Sequence, residues 1–147
     1  MSARKAAGAA LALGLATALA GCGRSSQPQA AAPDKVEPIA GSQFKRVVLT
    51  PLAAQRIGIQ TTTVRRVRTG RHGLMESVIP YPAVIYDNAG RAFTYTRPLP
   101  LQYVRRPVVV DHIAGRLAFL RSGPPPGTRV VAVGAEELYG AELGVTE

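Results

Sequence analysis

The 147-residue sequence holds one cysteine, two histidines and nine acidic residues. A single thiol, Cys22, excludes an intrachain disulfide. Metal centres need several convergent ligands, and one thiol with His72 and His112 supplies few. No serine-nucleophile motif, phosphate loop or paired-carboxylate spacing occurs. Asp111 and His112 are adjacent, but neighbours on a strand face opposite ways, so the pair is not expected to cooperate in acid–base work. Heptads, internal repeats and long amphipathic helices are also missing. An enzyme is the reading with least support. No catalytic residue, cofactor or metal is assigned.

What is abundant is positive charge. Eighteen Lys and Arg face nine Asp and Glu, a formal net charge of +9. Such an excess inside a cell suggests nucleic acid. The N-terminus argues against that partner. Arg4 and Lys5 precede an apolar run over residues 6–20, and the run ends in Leu19-Ala20-Gly21-Cys22. This is the layout of a secretory signal peptide, short for a membrane span. Small residues directly before cysteine resemble the lipobox of bacterial lipoproteins. The resemblance implies that residues 1–21 are removed and that Cys22 carries lipid as the mature N-terminus. An uncleaved anchor, or an ordinary export signal with an incidental cysteine, are the other readings. Two or more acyl chains at about 0.8 kcal/mol per buried methylene hold a protein at a bilayer. The expected location is a membrane-anchored lipoprotein facing the periplasm or cell exterior, where anionic headgroups or acidic proteins replace nucleic acid as partners.

Residues 22–43 carry Ser25-Ser26, Pro28, Ala30-Ala31-Ala32-Pro33, Pro38 and Gly41 without apolar periodicity. That composition predicts a flexible linker. Residues 44–147 are long enough for one modest core and one domain. Residues 46–49 and 59–64 read as strands. Between them Thr50 is a candidate N-cap, Pro51 suits the first helical position, residues 52–57 make a short helix, and Gly58 ends it. Short apolar segments follow at 83–86, 92–95, 108–110, 117–120 and 130–133, several of them β-branched or aromatic. Turn residues separate them: Asp87-Asn88-Ala89-Gly90, Ala114-Gly115, and the rigid Gly123-Pro124-Pro125-Pro126-Gly127. Gly134 precedes a last helical turn with Glu136 and Glu137 at its start, where acidic groups suit the helix dipole. The predicted class is mainly β: a small antiparallel barrel or roll with one short helix near the N-terminal strand and one helical turn near the C-terminus.

The densest charge is Arg65-Arg66-Val67-Arg68-Thr69-Gly70-Arg71-His72. It reads either as a solvated strand end with Val67 inward or as a docking patch for an acidic partner or lipid. Arg105 and Arg106 form a second basic pair. His72 and Met75 raise a separate idea, soft-metal carriage of copper or silver, with few supporting ligands nearby.

Two segments resemble the periplasmic adaptor (membrane fusion) proteins of tripartite efflux pumps. The first runs from Val47-Val48-Leu49-Thr50-Pro51-Leu52 to Ile57-Gly58-Ile59 and Thr63-Val64. The second runs from Ile79-Pro80-Tyr81-Pro82-Ala83-Val84-Ile85-Tyr86-Asp87 through Val104-Arg105-Arg106-Pro107-Val108 to Gly140-Ala141-Glu142. The resemblance implies a membrane-proximal domain that docks on an inner-membrane transporter of the resistance–nodulation–division type. Family members carry a lipoyl-like domain and a helical hairpin between these segments. Here only residues 65–76 separate them, so bridging to an outer-membrane channel by that hairpin is not expected. Arg65, Arg66, Arg68, Arg105 and Arg106 are the candidate contacts. Self-association stays open, as does a degenerate remnant without pump function.

Overall fold

A computed structural model describes residues 35–70 and 73–144. The chain runs β1 (Lys35–Pro38), β2 (Lys45–Val48), α1 (Pro51–Ile57), β3 (Gln60–Thr63), β4 (Arg65–Arg68) and β5 (Met75–Pro80). A 3-10 turn at Tyr81–Ala83 leads to β6 (Ile85–Tyr86), β7 (Ala92–Leu99), β8 (Gln102–Pro107), β9 (Val109–Ala114), β10 (Leu117–Ser122), β11 (Arg129–Val133) and α2 (Ala135–Leu143). The fold is mainly β: two antiparallel sheets with two short helices. One sheet has the order β1-β2-β8-β7-β11-β3, with β6 also on β7; the other has the order β4-β5-β10-β9.

Two of the crossings between the sheets fall at single buried valines. Val64, 2 % exposed, separates β3 from β4; Val108, 5 % exposed, separates β8 from β9. Both leave the strand ladders there and bond elsewhere. The Val64 N–H donates to the Thr128 carbonyl, its carbonyl accepts from the Gly127 N–H, and the Val108 N–H donates to the Ala92 carbonyl. A buried peptide group needs such a partner, so each bend is held by the strand or turn beside it.

Strand alternation gives β7 two interior faces. Phe93 and Tyr95 enter one core with Val47, Leu49, Tyr103, Val131 and Leu138. The second core, between the sheets, gathers Val64, Ile79, Val84, Val108, Ala118, Leu120 and Val130. Helix α1 begins and ends as its residues predict. Thr50 Oγ1 accepts from the Ala53 N–H at 3.0 Å, and Gly58 ends the helix at φ 72°.

Three expectations need correction. A strand, β1, forms inside the segment read as a linker. Val36 lies opposite Val47, and Glu37 pairs with Lys35 and Arg46, so β2 supplies the order that β1 lacks alone. The strand expected over residues 83–86 shrinks to β6, because Pro80 and Pro82 bracket the start of a 3-10 turn. The last helical turn is a nine-residue helix, α2, long enough to reach back over the first core.

Candidate interaction surface

Arg105 lies opposite Tyr95 in the β7–β8 ladder, so both side chains point to the same face. Helix α2 lays Tyr139 and Glu142 over that face. Glu142 is 4 % exposed. One carboxylate oxygen accepts from the Tyr95 hydroxyl at 2.5 Å, and the other meets the Arg105 guanidinium at 2.9 Å. The guanidinium also sits 5.0 Å from the Phe93 ring centre, 5.4 Å from Tyr139 and 5.6 Å from Phe44. Rings at this range attract a cation through their negative faces. A small groove of about 280 Å³, bordered by Gln43, Phe44, Asp87 and Arg91, reaches Arg105 from outside. Arg105 and Arg106, read together as a second basic pair, therefore part company in the structure. Alternation turns Arg105 into the core and leaves Arg106 outside. Arg105 acts as an internal cation that fastens α2 to the sheet.

Burial raises the Tyr95 hydroxyl far above the ordinary phenol pKa, and the bond to the Glu142 carboxylate raises it further. Burial also raises Tyr103. In the unfolded chain both phenols ionise near pH 10. Their stabilising effect is complete below that pH and declines as pH rises above it, because only the unfolded state releases the protons. Urea midpoints measured across this range should fall steadily above about pH 10. Tyr95→Phe should flatten the decline while lowering stability at neutral pH.

The outer face of the second sheet holds another cluster. His112 Nδ1 lies 3.1 Å from an Asp111 oxygen, and the Arg121 guanidinium reaches the other oxygen at 2.5 Å. The expectation that Asp111 and His112 point apart is overturned by a bulge. Phe119 pairs with His112 and Leu120 with Val110, so Asp111 has no opposite number; likewise Arg121 is skipped between Leu120 and Ser122. The two skipped residues are the ones that form the ion pair. Arg121 first, then His112, hold the Asp111 carboxyl below its usual pKa. His112 stacks on Phe119 at 4.3 Å. Glu76 completes a set whose ligand atoms lie within 4.8 Å of one another. The Arg121 guanidinium already holds one Asp111 oxygen, so a cation entering there would compete with it for the carboxylate. Of the residues considered for soft metal, Met75 is 45 % exposed on β5, and His72 lies outside the described residues.

Arg65, Arg66 and Arg68 lie on β4, which among the described residues pairs only with β5 and forms an edge of the second sheet. All three are exposed, and none makes an ion pair among the described residues. Arg66 reaches the Met75 carbonyl at 3.5 Å, a long contact. Val67 is half-buried, which agrees with a strand end whose valine is turned in while its arginines face outward.

Arg106 stands apart from β4. It borders a groove with Arg97, which sequence reasoning passed over; Arg129 follows along the same surface. The signal available was proline chemistry: Arg97 directly precedes Pro98 near the end of β7, just before the Pro100-Leu101 turn, and Arg129 follows the Pro-rich connection. A further groove of about 750 Å³ is lined by exposed Tyr81 and Tyr86 with Val133, Glu136, Glu137 and Tyr139. No described helix is long and apolar enough to cross a membrane. Cys22 lies outside the described residues.

Comparison of the chain with protein-family models, with curated proteins and with solved structures finds no match.

Proposed function

We propose that the protein is a non-enzymatic binding module, held at a membrane through lipidated Cys22 on the extracytoplasmic side. Its two sheets, joined at Val64 and Val108, form a partly open roll. Its partner is an inner-membrane transporter of the resistance–nodulation–division type, and its part is positioning by shape and charge. The likeness of residues 47–64 and 79–142 to periplasmic adaptors supports the partner class. The observation that carries the docking surface is the β4 edge, unpaired among the described residues and carrying three exposed arginines. Such an edge offers both backbone hydrogen bonds and positive charge to an acidic segment. Arg106 is a second, separate point of contact; Arg105 is withdrawn from the contact set because it is committed to Glu142.

The test is affinity purification of the full chain from solubilised membranes. A transporter is expected to co-purify. The triple substitution Arg65→Glu, Arg66→Glu, Arg68→Glu should reduce recovery at least tenfold while leaving the thermal midpoint nearly unchanged. Undiminished recovery by the triple variant would remove β4 from the contact, and no transporter in either sample would remove the partner. Cys22→Ser should shift the protein from the membrane fraction to the soluble one.

A further inference from the structure

Most of the acidic groups in the described chain are already taken. Glu37, Asp87, Asp111 and Glu142 each pair with an arginine: Arg46, Arg91, Arg121 and Arg105. Arg97, Arg106 and Arg129 differ. They make no ion pair among the described residues, yet they gather along one surface.

That surface is concave. A groove of about 620 Å³ is bounded by Arg97, Arg106, Ser122 and Thr128, with Pro98, Pro107, Pro124 and Pro125 in its walls. It adjoins a second hollow of about 440 Å³ that shares Arg97, Pro98 and Thr128 and adds Arg129. Among the described residues no Asp or Glu borders either one. Four elements converge to make it. The Thr94–Arg106 pair of the β7–β8 ladder sets Arg106 beside Thr96 on the strand face. Arg97 stands where that ladder shifts register, between Thr96 and Leu99. The Thr128 N–H donates to the Pro125 carbonyl, which folds the Pro-rich connection against the opening of β11.

Arg97 borders both hollows, with Arg106 in one and Arg129 in the other, and this positive charge meets no lining carboxylate among the described residues. Prolines restrict the walls, so little conformational freedom is lost when an anion enters. Guanidinium forks match the tetrahedral oxygens of phosphate and bind them in pairs, and the Ser122 and Thr128 hydroxyls add short donors. We propose that this groove is a binding site for a phosphate group, presented either by a soluble phosphate compound or by the headgroup of an anionic phospholipid. The site is separate from β4 and does not depend on the transporter reading.

The experiment uses the full chain carrying Cys22→Ser, with three versions compared. One is otherwise unchanged. One carries Arg97→Gln, Arg106→Gln and Arg129→Gln. One carries Arg65→Gln, Arg66→Gln and Arg68→Gln as a charge-matched control. All six arginines are half-buried or exposed, so thermal midpoints should stay close together. Calorimetric titrations use inorganic phosphate and glycerol phosphate; sedimentation uses phosphatidylglycerol and phosphatidylcholine vesicles. The expected result is saturable phosphate binding that the groove variant loses at least tenfold and the β4 variant keeps. Loss of phosphatidylglycerol vesicle binding in the groove variant alone assigns the headgroup as the source; loss of soluble phosphate binding with unchanged vesicle binding assigns a soluble compound. Absence of saturable phosphate binding overturns the proposal. Equal loss in both variants also overturns it, since that result reports diffuse counter-ion attraction.

Discussion

Replacing Glu142 with alanine is expected to lower the unfolding free energy by about 3–5 kcal/mol, the usual cost of stranding one member of a buried ion pair. The change leaves the Arg105 guanidinium facing three rings with no counter-charge, and leaves the Tyr95 hydroxyl without its acceptor. A domain of this size has about 5–15 kcal/mol in all, so the variant should be largely unfolded under mild denaturant. Urea titration followed by circular dichroism gives the number. Glu142→Gln keeps an acceptor for Tyr95 but no charge for Arg105, and should fall between. The pairing of Glu142→Leu with Arg105→Met should recover most of the loss, because it removes both charges at once. A cost below about 1 kcal/mol for the alanine variant would mean that α2 is held by its apolar contacts and that the ion pair is incidental.

Gly134 gives the second large effect. It sits between β11 and α2 at φ 84°, where a side chain is strained. A Cβ there would lie 2.7 Å from Ile59 Cδ1 and 2.9 Å from Ile57 Cγ2. The Ile59 methyl can swing away; the Ile57 branch is closer to its backbone and yields less. Left-handed strain of about 1–2 kcal/mol and overpacking of about 1–3 kcal/mol together put Gly134→Ala near 3 kcal/mol of destabilisation. The thermal midpoint should drop by roughly 10–20 °C for a domain of this length. Gly140 supplies the opposite sign. It lies within α2 with nothing close to its missing Cβ. Gly140→Ala should stabilise by about 0.5–1 kcal/mol through helix propensity. Similar losses at both positions would contradict the packing described for α2.

These two sites show which features the sequence makes legible. Thr50, Pro51 and Gly58 act through local geometry, so α1 could be read from neighbouring residues. The turn glycines and the β-branched runs are local in the same sense. β1 and β8 were not read as strands because their polar compositions become strands only beside β2 and β7. β5 begins with Met75-Glu76-Ser77 and turns apolar only at Val78, so its first half gives no pattern. The direction of Arg105 was beyond reach without the register that sets it opposite Tyr95. Glu142 did leave a trace. It lies four residues after Leu138 and seven after Ala135, which is the spacing of one helix face, and all three are buried. Reading α2 as a single turn concealed that spacing. The Asp111–His112 contact depends on a bulge, and a bulge is visible only when both strands are in view.

The β4 border has a cost that any docking role must share. A bare strand rim tends to capture the same rim of another molecule, and the sheets then stack into insoluble material. Three cations in four positions make two such rims repel each other before their backbones can meet. The arginines proposed to meet an acidic neighbour thus also keep identical molecules apart. Any variant that neutralises them to probe binding gives up that protection, and its solubility becomes a measure of how much the chain relied on it.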